Sequence, residues 1–354
     1  MKYTVANARP PLYPILQLDG NYLVKWNNNQ SKENDEVEEW LPILDNLESA
    51  WGDAPIVRIV GGSSSPLPSA VEVIWLSVIE KQLYKYKKEI DARKAETYWY
   101  IDNKNSWNSF SQILVGLAPC GGVALWFRGY NKSILFSWEK AEALNTDQVS
   151  DELLPDESIE EIYQVALNEH AEIKSHLEQN GLPQPSFYNR LMAQFCYKFM
   201  PVFKKWNVDE ELWKDYEENE TLPELYSMEV RCFDGTYDKL RDGGLQEYHT
   251  TGKPSHLNVS WHFGNHNYGA YFFFNHEELQ TIFSRCYGTH PETRADFLIK
   301  MDSETQHYEL ALYRYGMKEP MVISESAYQL IVFKNSSECF RSENYNLPPG
   351  LWRW

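Results

Sequence analysis

The sequence predicts an α+β protein, with two antiparallel β-rich halves flanking an acidic helical insert. Three observations predict it. From Val71 to Ile79 both alternate residue sets are apolar, Val71, Val73, Trp75 and Ile79 against Ile74, Leu76 and Val78. A strand of that kind is covered on both faces and belongs at the centre of a sheet. Residues 139–180 then turn acidic, with Lys140 and Lys174 their only basic residues, and carry apolar side chains at helical spacing. Strand-like runs return after residue 222. The expected organisation is a β-rich unit over 1–145, a helical insert over 146–222 and a second β-rich unit over 223–354.

Taken in order, residues 21–26 (NYLVKW) read as an edge strand behind Pro10, Pro11 and Pro14. Trp40, Leu41, Leu44, Leu47 and Trp51 follow at the spacing of an amphipathic helix. Residues 61–68 (GGSSSPLP) form a loop into the central strand, and Lys87–Thr97 reads as a helix. Ile113–Leu117 and Val123–Phe127 are apolar runs joined by Ala118-Pro119-Cys120-Gly121-Gly122, the turn chemistry of a hairpin. Gly121 and Gly122 are both expected in backbone conformations that a Cβ disfavours. Lys132–Trp138 adds a fourth strand.

Residues 159–180 then read as a helix with an acidic outer side, stopped by Gly181, and 185–206 as a second, more apolar helix. A third acidic segment spans 209–224. The expected strands beyond it are Leu225–Phe233, Leu257–Phe263, Gly269–Phe274, Phe297–Met301, Glu309–Tyr313 and Tyr328–Phe333. A helix at His276–Tyr287 interrupts them, with Asn275 as its N-cap and Glu278 three residues on. FDGTYD (233–238), RDGG (241–244) and FGN (263–265) are turn signals. One internal echo stands out: Pro68-Ser69-x-Val71-x-Val73-x-Trp75 aligns without gaps on Pro254-Ser255-x-Leu257-x-Val259-x-Trp261. It marks either a duplicated β unit or two similar strand entries.

Composition bounds the function. Aromatic residues make up 15% of the 354, enough for a sizeable core. A net charge of −18 argues against nucleic acid and against an anionic membrane surface as partners. It favours fast docking of a basic protein. The amino-terminal stretch shows neither an apolar signal core nor a Cys for a lipid anchor, so a cytosolic location is expected. Five widely spaced Cys suggest reduced thiols rather than a disulfide framework.

No phosphate-cradling GxxxxGK[ST] or GxGxxG and no GxSxG nucleophile elbow is present. Gly61-Gly62-Ser63-Ser64-Ser65 lacks the Lys and helix start of a phosphate loop. Cys120 has no His near it in the sequence, which leaves the hairpin turn as the reason for its glycines. His256, His262 and His266 could converge on zinc in a metal-dependent hydrolase, although no HExxH accompanies them. Exposed Trp could instead serve a glycan-binding module. No cofactor is implied.

VEVIWLSVIEKQLYKY followed by ILVGLAPCGGVALWFRG resembles an uncharacterised family of Gram-negative bacterial proteins, a domain of unknown function. Its members carry a W-x-S-x-x-E strand with a following Lys and Tyr, then a G-[LM]-A-P-x-G hairpin leading to VxLW. The matching residues are Trp75, Ser77, Glu80, Lys81 and Tyr84, then Gly116, Leu117, Ala118, Pro119, Gly121, Leu125 and Trp126. The resemblance covers about residues 55–145. Many relatives are lipoproteins, and some look like immunity proteins encoded beside type VI or Rhs-type toxins. It therefore implies a binding role and supplies no catalytic residues. The expectation is a cytosolic immunity protein that neutralises a basic toxin domain by stoichiometric binding. Asp209, Glu210, Glu211, Asp215, Glu217 and Glu218 are its candidate contact residues.

Overall fold

In the computed structural model the chain forms two units, residues 1–189 and residues 190–353. The structure describes residues 4–10, 13–27, 36–44, 51–53, 67–101, 110–182, 184–240, 247–303, 307–324, 326–334 and 337–341. The loop expected at 61–66 and the RDGG turn lie outside them.

The doubly apolar run becomes the strand Ala70–Ser77, in the middle of a five-stranded sheet. Its neighbours are Ile15–Asn27 and Gln82–Glu89, flanked in turn by Glu36–Pro42 and Glu142–Leu144. Thr4–Ala8, Phe110–Ala118, Gly122–Gly129 and Lys132–Lys140 follow one another across the facing sheet, the first pair parallel and the others antiparallel. Val71, Val73, Trp75 and Tyr86 from one sheet meet Val115, Val123, Leu125 and Phe127 from the other in one buried core. On the opposite face, Leu76, Val78 and Leu83 are covered by Ile159, Ile162 and Tyr163 of the helix Ile159–Glu169. Ile173 and Leu177 of the next helix, Ala171–Asn180, cover Ile79. The central strand is thus buried on both faces because a sheet lies on one side and acidic helices on the other.

That arrangement corrects the predicted fold class. The chain is mostly strand, with five helices among the described residues, and no acidic helical insert separates two halves. The helices at 159–180 are the cover of the first unit's sheet. The expected helix at 185–206 is a short helix, Pro185–Leu191, followed by the strand Gln194–Phe203. The acidic segment after it contains a β-hairpin, Lys205–Asn207 with Leu212–Lys214. Two further expected helices begin as strand. Glu36–Pro42 takes the start of the one expected over Trp40–Trp51, whose residues 45–50 lie outside the described ones. Gln82–Glu89 takes the start of Lys87–Thr97, ahead of the helix Ala92–Ile101.

In the second unit Gln194–Phe203 runs parallel to Ala295–Met301, which pairs in turn with Tyr308–Arg314 and then Met321–Ile323. Its other sheet runs in the order Tyr237–Leu240, Glu224–Cys232, Pro254–Phe263, His266–Phe274, Ser326–Lys334. Each strand of the first unit has a counterpart here, and His249–Gly252, beside Gln194–Phe203, and Ser337–Arg341, beside Ser326–Lys334, are additional. Each has a parallel pair made by its first strand and the strand after a helix, and each has a hairpin ahead of a central strand. The helix Ala92–Ile101 corresponds to His276–Tyr287. Ala70–Ser77 corresponds to Pro254–Phe263, the two strands joined by the Pro-Ser echo, with Trp75 and Trp261 both fully buried. The echo marks a structural repeat.

Candidate functional site

The second unit departs from the first between its first two strands. Residues 9–14 join Thr4–Ala8 to Ile15–Asn27, whereas residues 204–223 join Gln194–Phe203 to Glu224–Cys232 and carry the extra hairpin. Trp206 and Trp213 face each other across it, ring centroids 5.2 Å apart, and His307 stacks on Trp206 at 3.8 Å. The Trp206 backbone N–H donates to the Asp302 carboxylate at 2.6 Å, and the Trp213 indole N–H donates to Glu309 at 3.1 Å. Burial holds His307 below the usual histidine pKa, which keeps the stacked ring neutral near pH 7. The turn is set by Asn207, whose side-chain oxygen accepts the N–H groups of Asp209 and Glu210, and by Glu211 at φ +50°.

All six carboxylates predicted as contact residues are exposed. They outnumber Lys204, Lys205 and Lys214 two to one over residues 204–218. Glu210 pairs with Lys214 at 2.6 Å and Asp215 with Lys204 at 2.9 Å. Asp209, Glu211, Glu217 and Glu218 make no ion pair among the described residues. Val208 is 66% exposed and Leu212 41%, on either side of Asp209, Glu210 and Glu211 in the chain, so exposed apolar and acidic side chains share the hairpin. The sequence located the carboxylates but took their segment for a helix, which hid the hairpin and its aromatic base.

The three histidines do not converge: His266 pairs with Phe263 beside His262, and His256 lies apart from both. His256 and His262 share a face of Pro254–Phe263 but lie six residues apart, roughly 20 Å along a strand. His256 stacks on Phe273, and His262 stacks on Tyr226 and bonds Asn267. Among the described residues no group of three or more His, Cys, Asp or Glu is placed to hold a metal ion.

The two motifs of the first unit do meet. The Glu80 carboxylate accepts the backbone N–H of Cys120 at 2.8 and 2.9 Å, and the Tyr84 hydroxyl donates to Glu80 at 3.4 Å. Lys81, at φ +55°, reaches Glu160 at 2.6 Å and lies over the Tyr163 ring. Strand motif, hairpin motif and helical cover are therefore tied through two adjacent residues. Cys120 adopts φ +61° and Gly121 φ +70°, whereas Gly122 is ordinary at φ −69°. Gly122 is required for another reason: a Cβ there would lie 2.1 Å from the Trp138 ring. Burial, then the negative Glu80, pushes the Cys120 thiol up to about 12, so it stays protonated and is a poor nucleophile.

One polar cluster escaped the sequence reading. Asp234 and Lys253 are fully buried in the second unit. Asp234 accepts from the Thr236 hydroxyl at 2.6 Å and from Gln194 at 3.1 Å, while Lys253 donates to the Arg190 carbonyl. Burial raises the Asp234 pKa and lowers that of Lys253 to about 8. The FDGT turn was legible at 233–236. Lys253 gave no signal, since its partners lie 19 residues or more away.

The chain is thus a tandem of two β-sandwich units of one topology, the second bearing an acidic hairpin. Residues 1–184 match the model of a family described as "Protein of unknown function (DUF2931)", and the chain belongs to that family. The matched stretch is nearly the first unit, so the hairpin lies beyond it. No curated protein and no solved structure matches the chain. Among the described residues no helix is long and apolar enough to cross a membrane.

Proposed function

We propose that the protein is a cytosolic immunity protein that neutralises a cognate type VI or Rhs-type toxin by tight, stoichiometric binding. The observation that carries this reading is the hairpin of the second unit: exposed Val208 and Leu212 among exposed carboxylates, on a packed Trp206–Trp213–His307 base. It is added to a set of strands that repeats those of the first unit. Toxin domains that act on nucleic acids carry the basic surface such substrates demand. Opposite potentials speed encounter with such a domain, and desolvated apolar and aromatic contacts at the centre hold the complex.

The product of the neighbouring gene is the test partner. Its toxin domain should bind the purified protein one to one, with an on-rate that falls steeply as salt rises. Reversing Glu210, Glu211, Glu217 and Glu218 to Lys should cut that on-rate by about tenfold or more while leaving the off-rate nearly unchanged. A salt-independent on-rate with normal binding by the reversed variant removes the hairpin from the interface. A neighbouring gene that encodes no toxin domain removes the immunity reading itself.

A further inference from the structure

The first unit contains a pocket of about 320 Å³ beside the Cys120 turn, within the size range of small-ligand sites. Trp138 and Lys140 stand two residues apart on the strand Lys132–Lys140, so both side chains leave the same face of the sheet. Across the ladder, Gly122 is paired with Lys140 and Ala124 with Trp138. A Cβ on Gly122 would collide with the Trp138 ring, so the indole leans over the glycine, and both line the pocket. Pro119 and Pro185 add apolar wall.

The polar side chains left to a ligand on this face are donors. Lys140 is exposed, is the only cation of the lining and makes no ion pair among the described residues. Asn189 accepts the Trp138 indole N–H at 3.1 Å. That bond occupies the oxygen of its amide and leaves the NH2 group to donate. Glu139, between Trp138 and Lys140 in the chain, turns to the opposite face, where Lys88 and the Tyr86 hydroxyl hold its carboxylate. Glu80 is bound to the Cys120 backbone N–H and takes no part in the lining.

We propose that this pocket binds a small aromatic carboxylate, its ring packed against Trp138 and its carboxylate held by Lys140 and Asn189. The ring gains an aromatic contact with the indole, and the carboxylate a charge-assisted hydrogen bond with the ammonium. Other classes fit less well. An uncharged aromatic ring leaves both donors unused. A sugar hydroxyl needs acceptors as well as donors, and the carboxylate that could accept lies on the other face. One cation matches one negative charge, which favours a carboxylate over a doubly charged phosphate. The net charge of −18 repels any anion at long range, so the attraction has to come from the two contacts themselves. The site belongs to the first unit and stands whether or not the toxin reading does.

The experiment titrates the full chain by calorimetry with phenylacetate and indole-3-acetate, and with the neutral amide of each. At least one acid should bind at one per chain with millimolar or tighter affinity, and its amide about threefold more weakly or worse. Lys140→Gln should weaken the acid about three- to tenfold, whereas Lys140→Arg, which keeps the charge, should hold the parent's affinity within about twofold. Both variants should melt with the parent, because Lys140 is exposed. No binding by either acid overturns the proposal. So does an amide that binds as tightly as its acid. Undiminished affinity in Lys140→Gln overturns it too, since the anion would then sit elsewhere.

Discussion

His256 shows how a residue suggestive of metal chemistry can be an ordinary member of a sheet face. In the sequence it was one of three His within eleven positions, and only strand periodicity could have said that His262 is roughly 20 Å away. Its packing carries a consequence for stability. Burial, with Arg231 nearby, lowers its pKa to about 4, and burial with Lys253 nearby lowers that of His276 to about 4. An unfolded histidine titrates near 6.5, so between those values the unfolded chain binds protons that the folded chain refuses. Both residues contribute stability that is present above pH ~6.5 and lost as pH falls towards ~4. Urea unfolding from pH ~7 to ~4.5 should show that loss. His256→Phe should make the slope shallower by up to one proton, about 1.4 kcal/mol per pH unit. A variant whose slope matches the parent's would mean that His256 protonates as readily folded as unfolded.

At the scale of elements, the sequence was read correctly where turn or cap residues bounded an apolar run. The run at 71–79 and the hairpin strands around Cys120 fall into this class, as does the helix His276–Tyr287, whose Asn275 cap accepts from Glu277 and Glu278. It failed where charge or apolar density hid a period of two. Lys87–Glu89 looks helical because of its charges, yet it ends the strand Gln82–Glu89, where Lys85 and Lys87 pair across strands with Glu72 at 2.9 and 2.8 Å. In Gln194–Phe203 the buried alternation Phe195, Tyr197, Phe199 is masked by apolar residues between them. The hairpin at 205–214 could not be read at all, since its anchors, Asp302, His307 and Glu309, come from about a hundred residues downstream. That dependence is testable. Trp206→Ala removes two ring contacts and should cost about 1–3 kcal/mol. Hydrogen exchange across 205–214 should accelerate well beyond that of the strand Gln194–Phe203. A hairpin that keeps its protection would be anchored by the Asp302 bond and by Trp213 on Glu309 and His307.

The repeat is the property of the whole molecule that the sequence half disclosed. One gapless echo of five matched positions aligned two strands that prove to be topological equivalents. The remaining equivalences left no comparable trace, because a sandwich core accepts many apolar combinations of similar volume. What distinguishes the molecule beyond its topology is charge. At −18, its surface carboxylates repel one another, and that repulsion opposes the compact state at low ionic strength. Exposed ion pairs such as Lys25–Glu38 act in the other direction, but each is worth only about 0–1 kcal/mol and is screened as well. With 51 acidic side chains against 33 basic ones, repulsion should dominate. Raising salt from ~10 to ~150 mM shortens the screening length to about 8 Å and should therefore raise the thermal midpoint by a few degrees. The same salt should slow association with a basic toxin domain, because there the screened term is attractive. Opposite responses of folding and binding to one variable would assign both effects to the net charge. A midpoint that falls with salt would mean that local ion pairs outweigh the global repulsion, and the acidic surface would then be organised chiefly around its own lysines.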